Sequence, residues 1–266
     1  MIQPDIHQFP CLKDNYGVLV HDREGGVTIS IDAPDAAAVA AALDQRGWTL
    51  THILVTHHHA DHTGGIAALK SGTLQNRTLQ NRAECKVYAP RAEMARIPTA
   101  DVAVGEPDVL SIGSLNIAVL DTPGHTIGHV TYWIRDAGVA FVGDTLFAMG
   151  CGRVLEGTPQ MMWDSLQKIA GLPKSTSLYC GHEYTVSNAK FGLSIEPDNA
   201  RLKERLAEAE ADVANGRATL PTRLDDECAT NVFLRAGVSA VRERVGLVGA
   251  PDWKVFAELR ERKNKF

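Results

Sequence analysis

The chain has 266 residues, 44% hydrophobic and 22% charged, a balance that excludes a disordered chain and suits one large domain or a domain with an appendage. Its 27 Lys and Arg against 32 Asp and Glu leave a net charge of -5, which argues against a general nucleic-acid binder, since such binding needs a basic face to neutralise phosphates. No apolar run approaches the ~18 residues that span a bilayer, because the stretch 138–152 is broken by Asp144.

The N-terminal MIQPDIHQFPCLKD lacks the basic and apolar regions of a secretory signal. Cys11, Cys85, Cys151, Cys180 and Cys228 are widely spread with no C-x-x-C pair, which suits reduced thiols better than a disulfide framework. The expectation is a soluble, cytoplasmic protein.

In chain order, Val18–Val20, Val27–Ile31 and Ile53–Val55 read as strands punctuated by Gly17, Gly25, Gly26 and Pro34. Between the second and third, the Ala-rich DAAAVAAALDQRG reads as a helix ended by Gly47. Further strands are expected at Lys86–Tyr88, Leu115–Leu120, Val130–Ile134, Val139–Val142 and Leu178–Tyr179, and a helix over Pro159–Ala170 closed by Gly171 and Pro173. This mixture reads as layered α/β (α+β).

After about Tyr184 helices take over. The pattern places Leu202, Leu206, Ala209 and Val213 on one face of a helix over Asn199–Asn215, with others near Asp226–Arg235 and from Pro251, where Trp253, Phe256 and Leu259 face inward. A tandem TLQNR at Thr73–Arg77 and Thr78–Arg82 is too short for a repeat architecture and reads as a polar loop insertion.

The chemistry concentrates in T-H-H-H-A-D-H, directly after the apolar ILV and before Gly64 and Gly65. Alternate residues of an extended segment point the same way, so His57 and His59 can chelate one ion while His58 turns aside. Asp61 and His62 lie past the bend and can reach a second position. Packed neutral imidazoles need partners and protonated ones repel; a divalent cation resolves both problems. The remaining ligands are sought in Gly-punctuated loops at strand ends: His125 in D-T-P-G-H-T, Asp144 in F-V-G-D-T-L-F and His182 in Y-C-G-H-E-Y.

The succession T-H-x-H-x-D-H, G-H-T, G-D-T and G-H-E resembles the metallo-β-lactamase superfamily. D-N-Y at Asp14–Tyr16, G-D-T-L-F-A-M-G-C-G-R at Gly143–Arg153, and the terminal Arg260, Lys263 and Phe266 make it similar to the glyoxalase II (hydroxyacylglutathione hydrolase) branch. The resemblance implies an αββα sandwich of two mixed sheets, with a catalytic domain over 1–184 and a C-terminal helical substrate-binding domain over 185–266. It implies that His57, His59 and His125 hold one metal, that Asp61, His62 and His182 hold the other, and that Asp144 bridges them. Two divalent ions are implied, zinc first, with iron or manganese as alternatives. Asp61 would also orient a metal-bridged hydroxide, available because paired ions lower the pKa of a shared water from ~15.7 toward ~7.

The implied substrate is a small-molecule glutathione thioester, typically S-lactoylglutathione, hydrolysed to D-lactate and glutathione in methylglyoxal detoxification. Arg153, Tyr184, Arg260 and Lys263 would contact glutathione. Leu155 departs from the family, which often has an aromatic residue there. With the charge balance and the lack of a long apolar run, the expectation is a monomer with no nucleic-acid or membrane partner.

Among the other residues, His7, His21 and His52 read as surface or strand-edge positions, and His58 and His129 as structural or ligand-supporting. Asp32 either orients a ligand or forms an Asx turn before Pro34. From spacing alone, Arg260 and Lys263 complement the dipole of a terminal helix. The rival readings are a persulfide dioxygenase using one iron, another hydrolase or nuclease of this fold, and a metal-binding scaffold without turnover.

Overall fold

β-branched and apolar runs separated by glycine and proline form most of the strands, as their pleated-surface preference dictates. The computed structural model describes residues 3–71 and 85–266, so the TLQNR duplication lies outside the described residues. The chain divides into two units, Met1–Asp121 with Gly128–Gly143, and Thr122–Ile127 with Asp144–Phe266.

The first unit contains, in order, β1 (Asp5–Cys11), β2 (Asn15–Asp22), β3 (Val27–Ile31), α1 (Ala36–Arg46), β4 (His52–Leu54), α2 (Ala60–Thr63), α3 (Ile66–Ser71), β5 (Lys86–Pro90), β6 (Val102–Val104), β7 (Val109–Ile112), β8 (Leu115–Asp121), β9 (Val130–Ile134) and β10 (Val139–Gly143). One sheet runs β1-β2-β3-β4-β5-β6, antiparallel from β1 to β3 and parallel from β3 to β6. Strands β7 to β10 form an antiparallel meander.

Asp35 caps α1 by accepting from the Ala38 N–H at 2.8 Å, and Gly47 ends it in the left-handed conformation. Helix α1 buries Val39 and Leu43 in a core with Leu19, Ile53, Val55, Ile66 and Leu69. Each such side chain contributes about 1.5–3 kcal/mol through its removal from water. That core fixes β3 and β4, in register Ile31 to Leu54, and the chemistry of this unit sits just past their carboxyl ends.

The second unit contains β11 (Leu146–Phe147), β12 (Gly150–Cys151), α4 (Pro159–Ala170), β13 (Ser177–Cys180), α5 (Thr185–Ile195), α6 (Ala200–Ala214), β14 (Thr222–Arg223), α7 (Leu224–Thr230), α8 (Ser239–Val245) and α9 (Asp252–Lys265). Strands β11 and β12 pair as a tight hairpin. Helix α4 begins as the sequence dictates, with Thr158 accepting from the Met161 N–H and Pro159 in the first turn. Its apolar face packs on α9, Trp163 lying 6.1 Å from Phe256.

Several expectations shift. The helix expected near Asp226–Arg235 is α7, which starts at Leu224 and stops at Thr230, because Asn231 leaves helical geometry and spends its side chain elsewhere. Val213, expected on the inward face of α6, is 49% exposed, and Trp253 is only half-buried while Val255 takes the inward place on α9. Strand β1 and helix α5 were not legible in the pattern. Among the described residues, no helix is long and apolar enough to cross a membrane.

Candidate metal centre

The segment after β4 turns on Thr56. Its backbone N–H and hydroxyl donate to the two oxygens of Asp32, at 2.7 and 2.8 Å, and Asp32 itself sits past β3 at φ 54°. The same carboxylate accepts from His62 Nδ1 at 2.8 Å. Asp32 therefore ties the T-H-H-H-A-D-H loop to the sheet and fixes the His62 ring.

His57 Nδ1 meets the Thr56 hydroxyl at 3.0 Å, leaving Nε2 3.1 Å from His59 Nδ1. His62 Nε2 lies 3.7 Å from Asp61 Oδ2. Buried Asn15 donates from Nδ2 to the Asp61 carbonyl at 3.1 Å and to its Oδ2 at 3.2 Å. The D-N-Y motif thus has a physical task. His58 faces Glu93 at 3.1 Å and Arg96 at 2.8 Å, and His129 stacks on His57 with ring centroids 5.0 Å apart. At Gly143, φ is 47° and a Cβ would overlap His129 Nε2, so glycine is required before the next loop.

In the second unit, Asp144 Oδ2 stands 3.4 Å from His125 Nε2 and 3.3 Å from His182 Nε2. His125 Nδ1 donates to the Arg153 carbonyl at 2.9 Å, which turns Nε2 toward the carboxylate. This approach requires Gly152, where a Cβ would overlap the Asp144 carbonyl. His182 stacks flat on Tyr184, centroids 5.0 Å apart, and the Phe147 ring meets both edge-on.

These residues fit a divalent ion. Tetrahedral ligands held ~2.0–2.1 Å from zinc stand about 3.3 Å from one another, the spacing found around Asp144. His57, His62 and His125 each have Nδ1 anchored and Nε2 turned to another donor, the arrangement of metal-binding imidazoles. The set of imidazoles and carboxylates suits zinc, iron or manganese.

The expected glutathione contacts differ in exposure. Arg153 is exposed and Tyr184 is 38% exposed. Arg260 is only 7% exposed, donating to the Cys151 carbonyl at 2.8 Å beneath the ring of Phe233. Lys263 donates to the Ser187 carbonyl and hydroxyl at 3.0 and 2.8 Å, and burial together with the Arg260 charge brings its pKa down to about 8.

Burial argues against Cys11, Cys151 and Cys180 as nucleophiles. Burial pushes the Cys11 thiol up to about 12 and Cys151 up to about 11, and it raises Cys180 further. Sequence reasoning missed Asn15, Glu93 and Thr56 as supporting residues; only the position of Asn15 in D-N-Y hinted at one.

Residues 24–182 match the model of the metallo-beta-lactamase superfamily, and residues 183–266 match the hydroxyacylglutathione hydrolase C-terminus. A relative from Rhodopseudomonas palustris, named hydroxyacylglutathione hydrolase, is 53% identical over 260 residues, 98% of each chain. Among solved structures, the BLEG-1 B3 metallo-beta-lactamase aligns with a TM-score of 0.63 at 22% identity, covering 86% of this chain and 99% of that one. ETHE1 from Myxococcus xanthus aligns with a TM-score of 0.61 at 26% identity, covering 97% and 98%. The fold is that of the metallo-beta-lactamases, two mixed sheets with helices and a C-terminal helical region. The chain belongs to the hydroxyacylglutathione hydrolase family within that superfamily.

Proposed function

We propose that this protein hydrolyses the thioester of S-(2-hydroxyacyl)glutathione, typically S-lactoylglutathione, to a 2-hydroxy acid and glutathione, and so serves methylglyoxal detoxification. The observation that carries the reading is the Asp144 carboxylate oxygen set at ligand spacing from imidazoles of two separate loops, in a chain whose relatives carry that name throughout their length. In this reading His57, His59 and His125 hold one divalent ion, Asp61, His62 and His182 hold a second, and Asp144 serves both. Zinc is the first expectation, with iron or manganese as alternatives. The ions, when bound, supply Lewis acidity and lower the pKa of water.

The chain's own residues do the rest. Asp61, steadied by Asn15, orients the attacking water toward the thioester carbonyl. The C–S bond breaks and glutathione leaves as a thiolate, a good leaving group near neutral pH that needs little general acid. Arg153, Tyr184, Arg260 and Lys263 contact glutathione, Arg260 and Lys263 standing three residues apart on α9, a spacing suited to gripping a carboxylate.

Residues 1–184 act as the catalytic domain and 185–266 as the substrate-binding domain. The protein works as a cytoplasmic monomer with no nucleic-acid or membrane partner. The experiment is an acyl-glutathione panel scored for released thiol, with elemental analysis of the same sample. Thiol release with two metals per chain supports the reading; oxygen uptake with a single iron would favour the dioxygenase instead.

A further inference from the structure

Apart from the candidate metal-binding loops, a buried polar network in the second unit surrounds Glu227. This α7 side chain is fully buried and carries a carboxylate, which is costly unless every oxygen is satisfied. Oε1 accepts from Arg205 at 2.7 Å and Thr222 at 2.6 Å. Oε2 accepts from the Met149 backbone N–H at 2.8 Å and from Asn231 Nδ2 at 2.9 Å. Asn231, also fully buried, donates to the Gly150 carbonyl at 2.8 Å and the Phe147 carbonyl at 3.3 Å, and Asn188 of α5 donates to the Ala148 carbonyl at 3.1 Å.

These groups converge on one element, the β11–β12 hairpin. Its turn holds Met149 at φ 54°, a left-handed conformation that a non-glycine residue adopts at a cost of about 1–3 kcal/mol. The tail side chains hold it there by binding four successive residues of the backbone. The hairpin leaves Asp144 on one side and reaches Arg153 on the other. Between them it sets Phe147 edge-on to His182 and Tyr184, and offers the Cys151 carbonyl to Arg260. Three of the four proposed glutathione contacts therefore take their place from this hairpin.

We infer that Glu227, with Asn231 and Asn188, is a positioning residue for substrate: the helical tail locks the β11–β12 hairpin in its strained turn and thereby sets the wall that binds glutathione. This inference rests on the glutathione-thioester reading. It assigns the tail a second task besides contributing Arg260 and Lys263, carried by residues that touch no substrate.

The test compares the wild-type holoenzyme with Glu227→Gln and Asn188→Ala, measuring kcat, KM, the Kd of glutathione by calorimetry, and the melting temperature. Glu227→Gln sets an amide against either Met149 N–H or Arg205, and Asn188→Ala removes one bond to the hairpin. KM and the glutathione Kd are expected to rise about fivefold or more with kcat within about twofold. A purely structural role would lower the folded fraction, reducing apparent kcat at unchanged KM. KM and Kd within twofold of wild type in Asn188→Ala, and in Glu227→Gln if it folds, overturn the inference. A wild-type protein inert toward every glutathione thioester would instead overturn the underlying reading.

Discussion

His62 Nδ1 and Asp32 Oδ2 stand 2.8 Å apart, joined across 30 residues of sequence. The bond fixes the ring's tautomer, because a carboxylate accepts and Nδ1 must donate, and it leaves Nε2 as the nitrogen whose lone pair is offered to an ion under the proposed reading. Replacing Asp32 by Asn keeps the left-handed backbone tolerable but weakens the acceptor that both Thr56 and His62 use. The expected outcome is a loss of metal affinity of about 10–100-fold, measured by chelator competition, with the circular dichroism spectrum retained.

On the proposed glutathione reading, Lys263 should make substrate binding sensitive to pH. Its pKa is lowered to about 8 from the usual 10.5, chiefly by burial and then by Arg260. Its charge is therefore present below pH 8 and lost as pH rises through that value. KM for an anionic glutathione thioester is expected to climb above pH 8 while kcat changes less. Lys263→Arg, charged throughout, should flatten the KM profile. The same shift means the folded state binds this proton less tightly than the unfolded chain, so the group's contribution to stability improves from pH 8 toward 10.5.

Much of this was legible in the sequence, for local reasons. His57 and His59 alternate on an extended segment, and the G-D-T and G-C-G-R loops carry the glycines that their close approaches demand. Helices α1 and α4 announce themselves through Asp35, Thr158, Pro159 and Gly47. What escaped depends on partners far along the chain. Helix α5 contains Ser, Asn and Gly and gains its stability by packing on α6, where Gly192 admits Leu202 closely. Asn15 and Asp61 are 46 residues apart, and Glu227 and Met149 are 78 apart; no periodicity reports such pairs.

Gly152 has no room for a side chain. Gly152→Ala would drive a methyl group into the Asp144 carbonyl and against His125. We expect a loss of about 1–3 kcal/mol in denaturant unfolding, together with loss of activity. Wild-type stability in that variant would show that the loop can open without cost.

The proposed mechanism leaves the thiols as spectators. Cys11, Cys85, Cys151 and Cys180 are buried, and Cys228 is the partly exposed one. Alkylation of the native protein should label Cys228 first, by mass spectrometry. Because the proposed chemistry uses no cysteine, the Cys151→Ala variant should retain metal and turnover.

The most direct test is thiol release from S-lactoylglutathione by the purified protein before and after exhaustive chelation, with Asp144→Ala alongside. Turnover should disappear with the metal, return when a divalent ion is restored, and never return in Asp144→Ala. Hydrolysis that survives complete metal removal would contradict the account.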